Sequence, residues 1–273
     1  NHSLDQGEQG LGSTIDYLAE NGYSFTGTAR TKEEQMDIPI VRKNNMNVAF
    51  LSYTYAVNGK SLPQGKEYMV NYIRLNKPDT DISLIREHIK IARQKGADII
   101  VACLHWSLEF ESYPIENVIN MGHQIMECGI DIIIGNHAHV MQTMEWYKYI
   151  DPFIKIEKQG FIVYALGDLV SCQENVKNSK LANIVRLEIS KGMLDNKLVT
   201  IVSGVSIKPV YLHSRMVGKV CEDFRVLDFI KLTKQIESGL NLHRLERKDV
   251  KEIFRLKDLL YRILPEKHES LLK

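Results

Sequence analysis

The chain has 273 residues, 44% hydrophobic and 25% charged, and its 35 basic and 34 acidic side chains leave a formal net charge of +1. This is a globular composition, long enough for one large core or a core with a small appendage. The balance gives no sign of a nucleic-acid partner or an anionic membrane surface, and no apolar run reaches the ~18 residues of a transmembrane helix.

The first residue is Asn1, and no strand precedes Asn1-His2-Ser3-Leu4-Asp5, so the chain reads as one whose natural start lies upstream. Residues 11–21 predict a helix with Leu11, Ile15 and Leu18 on one face and Asn21-Gly22 as its stop. Residues 38–41 and 48–51 predict a hairpin about the polar turn Lys43-Asn44-Asn45, and residues 68–75 predict a further strand. A helix follows from Asp79-Thr80-Asp81 to Gly96, with Ile82, Ile85, Ile89 and Ala92 along one face. Residues 98–104 form an apolar run, as expected of a strand covered on both faces. Pro114 opens a second helix that Gly129 stops, residues 130–134 make a second buried strand and residues 161–166 a third. This order implies mainly parallel pairing with right-handed crossovers. Residues 181–189 and 197–212 predict longer strands joined near Gly192, and from residue 214 the spacing of Val250, Ile253, Phe254, Leu260 and Ile263 becomes helical. The expected division is therefore 1–213 and a helical region 214–273. The four cysteines, at 103, 128, 172 and 221, form no C-x-x-C pair and read as free thiols, which leaves the compartment open.

Chemistry gathers where the buried strands end. The first apolar strand runs into His105-Trp106, the second into Gly135-Asn136-His137-Ala138-His139, and the third into Gly167-Asp168. In a parallel sheet the carboxyl ends share one edge, where ligands bind. On extended backbone, His137 and His139 project to the same side. Imidazoles suit zinc, manganese or iron. A lone His-x-His would read as a solvated loop pair, but beside His105 it reads as a metal site. Trp106 and Glu109 fall in the loop after the strand. Trp106 is read as either pocket wall or core, and Asp168 as either a turn cap or part of the site. His88 and His123 lie on helices and are expected to be surface or packing residues.

The segment Leu104-His105-Trp106-Ser107-Leu108-Glu109-Phe110 resembles the "LHWGxEY" run of CapA-type proteins, which are associated with poly-γ-glutamate capsule synthesis. Gly135 to Gln142 with Glu145 is similar to their "GHHPHVxQ…E", Leu166 to Val170 to "LGNFVF", Asn1 to Gly7 to "NNHxLDxG", and Gly27 to Arg30 to "GxGR". These motifs span roughly residues 1–210 in consistent order. The resemblance implies an α/β fold related to the calcineurin-like metallophosphatases, a two-sheet β-sandwich flanked by helices. It implies Asn1, His105, His137 and His139 as metal ligands, and His2, oriented by Asp5, as the general acid. Trp106, Glu109, Asn136 and Asp168 would then face substrate. The cofactor would be a divalent Mn, Zn or Fe, dinuclear in the full-length protein. The reaction would be hydrolysis or transfer at a phosphoester or γ-glutamyl amide; a non-catalytic component that binds or guides an anionic polymer is the alternative. Partners would be that substrate and other membrane components of a capsule synthase, at the bacterial cell surface through an upstream anchor. The sequence departs from the phosphatase pattern at Ser3, where an acid is usual, at Asp168, where the family carries Asn, and by one extra residue between Gly135 and His137.

Overall fold

A computed structural model describes residues 1–171, 173, 175–194 and 196–264; Cys172 lies outside the described residues. Helix α1 (Gly7–Glu20) starts four residues before the sequence pattern begins and buries Leu11 and Ile15. After the short α2 (Lys32–Gln35) comes the expected hairpin of β1 (Ile40–Lys43) and β2 (Met46–Thr54). Asn44 and Asn45 turn it with φ of 51° and 58°, the left-handed pair that a two-residue hairpin needs.

The strand expected over residues 68–75 is not formed. A 3-10 turn spans Glu67–Met69, and only isolated bridges, Thr28 to Val70 and Thr54 to Tyr72, follow. The amides of Tyr72 and Leu75 donate two residues back, to Val70 and Ile73, so tight turns consume the donors that a ladder would use.

Helices α3 (Ser83–Gln94) and α4 (Glu116–Glu127) alternate with β3 (Ile99–His105) and β4 (Ile132–Asn136). Strands β5 (Met144–Ile150) and β6 (Glu157–Val163) complete a six-stranded sheet of order β1-β2-β3-β4-β6-β5. The four central strands are parallel, and the edge strands β1 and β5 are antiparallel to their neighbours. Both faces are covered, which explains the unbroken apolar runs. Ile100, Ala102, Leu104, Ile133 and Ile162 point into a core with α3 and α4. Their alternates Ile99, Val101, Ile132, Phe161 and Val163 point into a second core on the other face.

A second sheet closes that other core. Strands β7 (Leu181–Leu194), β8 (Lys197–Val217) and β9 (Val220–Asp228) are antiparallel, and α5 (Phe229–Glu237) and α6 (Arg247–Ile263) add Phe229, Leu232, Ile253, Leu256 and Leu260 to the same core. The architecture is thus a mixed α/β sandwich of two sheets with helices around it. The division placed at 213/214 falls inside β8, and the region read as helical opens with a strand. Strand β9 escapes a sequence reading because its side chains are only exposed or half-buried, so its apolar alternation is weak. The C-terminal helices share the main core and do not form a separate unit.

Candidate metal and catalytic site

Parallel register sets the site. Thr54 lies abreast of His105, and His105 abreast of Asn136, so β2, β3 and β4 end together at one edge. Two loops leave that edge and are tied to each other: the Trp106 amide donates to the Asn136 carbonyl over 3.1 Å, and the Phe110 amide to the Ala138 carbonyl over 2.8 Å. The loop after β3 turns through left-handed backbone at Ser107 and Phe110, that after β4 at His137 (φ 99°) and His139 (φ 58°). His137 and His139 therefore converge by a strained bend, and not by the extended alternation expected from their spacing. Gly135 permits the bend's close approach. A Cβ there would meet the Tyr164 carbonyl oxygen at 2.0 Å and Trp106 Nε1 at 2.4 Å.

The three histidines meet. The rings of His105 and His137 lie 4.5 Å apart, and those of His137 and His139 6.2 Å apart. Tyr55, just past the end of β2, shares a 2.8 Å hydrogen bond with His137 Nε2. His139 Nδ1 donates to Asp168 Oδ1 over 2.9 Å, and Phe110 stacks on the His139 ring at 5.6 Å. Glu109, His137 and His139 each offer a ligand atom within 4.8 Å of the others.

Burial keeps the inner imidazoles neutral. It drives His105 down to about 3, helped by the neighbouring His137 and His139, and it lowers His137 against an opposing pull from Glu109. Burial and the Glu109 charge raise Tyr55. Neutral imidazoles are the form that ligates a metal. Buried His105 Nε2, His137 Nδ1 and Asp168 Oδ2 have no hydrogen-bond partner, which is costly for polar atoms unless something else satisfies them. The cluster of Glu109, His137 and His139, with the open nitrogen of His105 beside it, therefore offers the imidazole and carboxylate donors that a divalent transition metal takes.

The structure also places the remaining candidates. Asn1 and His2 lie close enough for charge on them to act at His105. His2 Nδ1 pairs with Asp5 Oδ2 at 2.7 Å, and Asn58 lies 3.1 Å from the same nitrogen. Asn136 is exposed at the edge and lends its carbonyl to the loop contact. Asp168 orients His139, where a substrate contact was expected, and Glu109 joins the ligand cluster. Trp106 is a correction: it is fully buried, stacked on Tyr164 at 5.8 Å with its Nε1–H donating to the Tyr164 carbonyl, so it cannot touch a substrate. It continues the strand alternation that sends Leu104 to the helix side. Tyr55 and Phe110 are site residues that the sequence reading does not pick out. The strand-end logic applied to β2 would have found Tyr55.

The chain matches the family model described as "Bacterial capsule synthesis protein PGA_cap" over residues 1–173. It is 27% identical over 212 residues to "Capsule biosynthesis protein CapA" of Bacillus anthracis, covering 77% of this chain and 48% of that one. It is 28% identical over 171 residues to "PGA biosynthesis protein CapA" of Bacillus subtilis (strain 168), covering 62% of this chain and 40% of that one. The chain thus spans less than half the length of each of these relatives. Among solved structures it is similar to the calcineurin-like phosphoesterase YfkN from Bacillus subtilis, with a TM-score of 0.39, 16% identity, and coverage of 94% and 70%. A hypothetical protein from Thermus thermophilus is similar at a TM-score of 0.31 and 10% identity, with coverage of 63% and 60%.

Proposed function

Since this chain belongs to the PGA_cap family of bacterial capsule synthesis proteins, we propose that its histidine cluster is a metal-dependent hydrolytic or transfer site serving the synthesis of a poly-γ-glutamate capsule. The bond acted on is a phosphoester or a γ-glutamyl amide, and the work is done at the cell surface with other membrane components of the synthase. Among the described residues no helix is long and apolar enough to cross a membrane. The observation that carries the reading is that Glu109, His137 and His139 bring ligand atoms within 4.8 Å of one another at one sheet edge, with the His105 ring 4.5 Å from that of His137 and a buried nitrogen of each of these two rings left open.

These four side chains would hold the cation, with Asn1 beside them. A bound divalent cation supplies Lewis acidity toward a phosphoryl or carbonyl oxygen and toward water. Asp168 fixes the His139 tautomer, with Nδ1 protonated and Nε2 left as the ligating nitrogen. Tyr55 steadies His137 through its hydrogen bond to Nε2. His2 is solvent-facing and held by Asp5, a placement suited to handing a proton to a leaving group. The exposed Asn136 and the rim of Phe110 are left to meet substrate.

The test is turnover of bis-p-nitrophenyl phosphate and of γ-glutamyl-p-nitroanilide by the native protein with manganese or zinc, beside His105→Ala and His139→Ala. The parent is expected to turn over one substrate and both variants to lose it. Equal turnover in parent and variants, or none in any of them, overturns the reading.

A further inference from the structure

A cavity of about 1060 Å³ lies away from the histidine cluster, between the last part of β8, the middle of β9 and the start of α6. Its acids are already committed. Asp223 pairs with Arg225 at 3.0 Å, Glu246 and Asp249 form the α6 capping box, and Glu252 is bound to Arg255. Its cations are less so: among the described residues Lys177, Lys180 and Arg244 line it without an acidic partner. His213 is only 6% exposed, yet its Nδ1 has no hydrogen-bond partner, and neither has the buried Nε of Arg225. The wall thus holds uncommitted positive charge and open buried nitrogens.

A shallower groove of about 470 Å³ runs from this cavity toward the site. Lys177 lines both, and the groove is also lined by Phe110, the ring stacked on His139. Among the described residues, no Phe, Tyr or Trp lines the cavity itself. Charge without a stacking platform suits a simple polyanion better than a single-stranded nucleic acid, which binds by stacking on aromatic rings.

We propose that the cavity and groove form a binding track for an extended polyanion, with anionic groups seated among Lys177, Lys180, Arg244 and His213 and the chain leading past Phe110 to the histidine cluster. That the track delivers polymer to a working site rests on the function proposed above; the affinity of the cavity does not. The track uses residues beyond the part matched by the family model, which ends at residue 173.

Binding is measured by fluorescence anisotropy with a labelled γ-linked glutamate oligomer, with inorganic polyphosphate and oligothymidylate as competitors. The parent is expected to bind at low salt, with affinity falling as salt rises. Lys177→Glu with Arg244→Glu should weaken binding about tenfold or more and flatten the salt dependence. Both reversed positions are exposed, and Lys177→Gln with Arg244→Gln gives the same direction of change should the reversals disturb folding. Effective competition by polyphosphate supports an anion track that reads charge; failure to compete supports one selective for carboxylates. Absence of binding by the parent, unchanged affinity in the double variants, or tighter binding of oligothymidylate overturns the proposal. Polymer binding without turnover would sink the catalytic reading and leave the track standing.

Discussion

Asp168 Oδ1 accepts the Nδ1–H of His139 over 2.9 Å, while its other oxygen is buried with no partner. Such a carboxylate fixes the imidazole tautomer and raises the basicity of the outward nitrogen, and removing one commonly costs about 10–100-fold in metal affinity. Asp168→Ala should therefore weaken manganese or zinc binding by about that factor without unfolding the chain. Isothermal titration with each metal measures it, and unchanged affinity would show that His139 needs no orienting partner.

Trp106 should behave as a core residue. It is fully buried, and Trp106→Ala leaves a large void and an unpaired Tyr164 carbonyl. The expected loss is about 3–5 kcal/mol, the usual range for a buried aromatic cut to Ala. The urea midpoint reads it. A loss near zero would mean that the loop after β3 can be remade without its anchor.

A buried ion network sits at the other end of the sheet, and it should fail when unbalanced. Lys158 is 5% exposed and reaches both Asp131 and Asp151, while Asp131 also takes Arg93 at 2.9 Å and the Ile100 amide at 2.8 Å. Lys158→Met leaves two carboxylates facing one guanidinium, a change expected to cost about 3–5 kcal/mol. Adding Asp151→Asn should recover part of this, and a double-mutant cycle in guanidinium chloride separates the coupling. Full additivity would contradict the network.

Acid sensitivity should come in part from His88. It is 1% exposed, shares a 2.8 Å hydrogen bond with the Tyr53 hydroxyl, and is held by burial down to about 4. In the unfolded chain it takes its proton near 6.5. Between those values the unfolded state binds a proton that the folded state refuses, so stability falls as pH drops from 6.5 toward 4 and is indifferent to this group above 6.5. The interval corresponds to a loss on the order of 3 kcal/mol. His105 and His137 titrate in the same direction, so the informative quantity is the difference between parent and His88→Gln. The variant should show the shallower decline in urea stability over this interval. Identical slopes would show that His88 charges without penalty.

Much of the site is legible in the sequence because it depends on sheet topology, which apolar runs reveal. His105, His137 and His139 each follow such a run, and parallel pairing brings their strand ends together. The roles of Glu109, Asp168 and Trp106 are harder to read. They depend on which way a loop turns, and the left-handed residues Ser107, Phe110, His137 and His139 carry no local signal as strong as glycine. Strand β5 goes unpredicted and strand β9 is absorbed into a helical region, while residues 68–75 have strand composition but spend their amides on tight turns. Tyr55 stays hidden until the reasoning used on β3 and β4 is applied to β2.

The register that aligns Thr54, His105 and Asn136 has a kinetic side. These residues are far apart in the chain and become neighbours only when parallel pairing, the slow and non-local part of folding, is complete. The ligand cluster therefore cannot preexist in an open chain or in any single strand–helix segment. A cation drawn to it selects the state in which β3 and β4 are paired, because His105, Glu109, His137 and His139 all lie on those strands and the loops after them, and by mass action it pulls the folding equilibrium toward that state. Capture of metal would then mark the moment at which β3 and β4 have paired in the nascent protein.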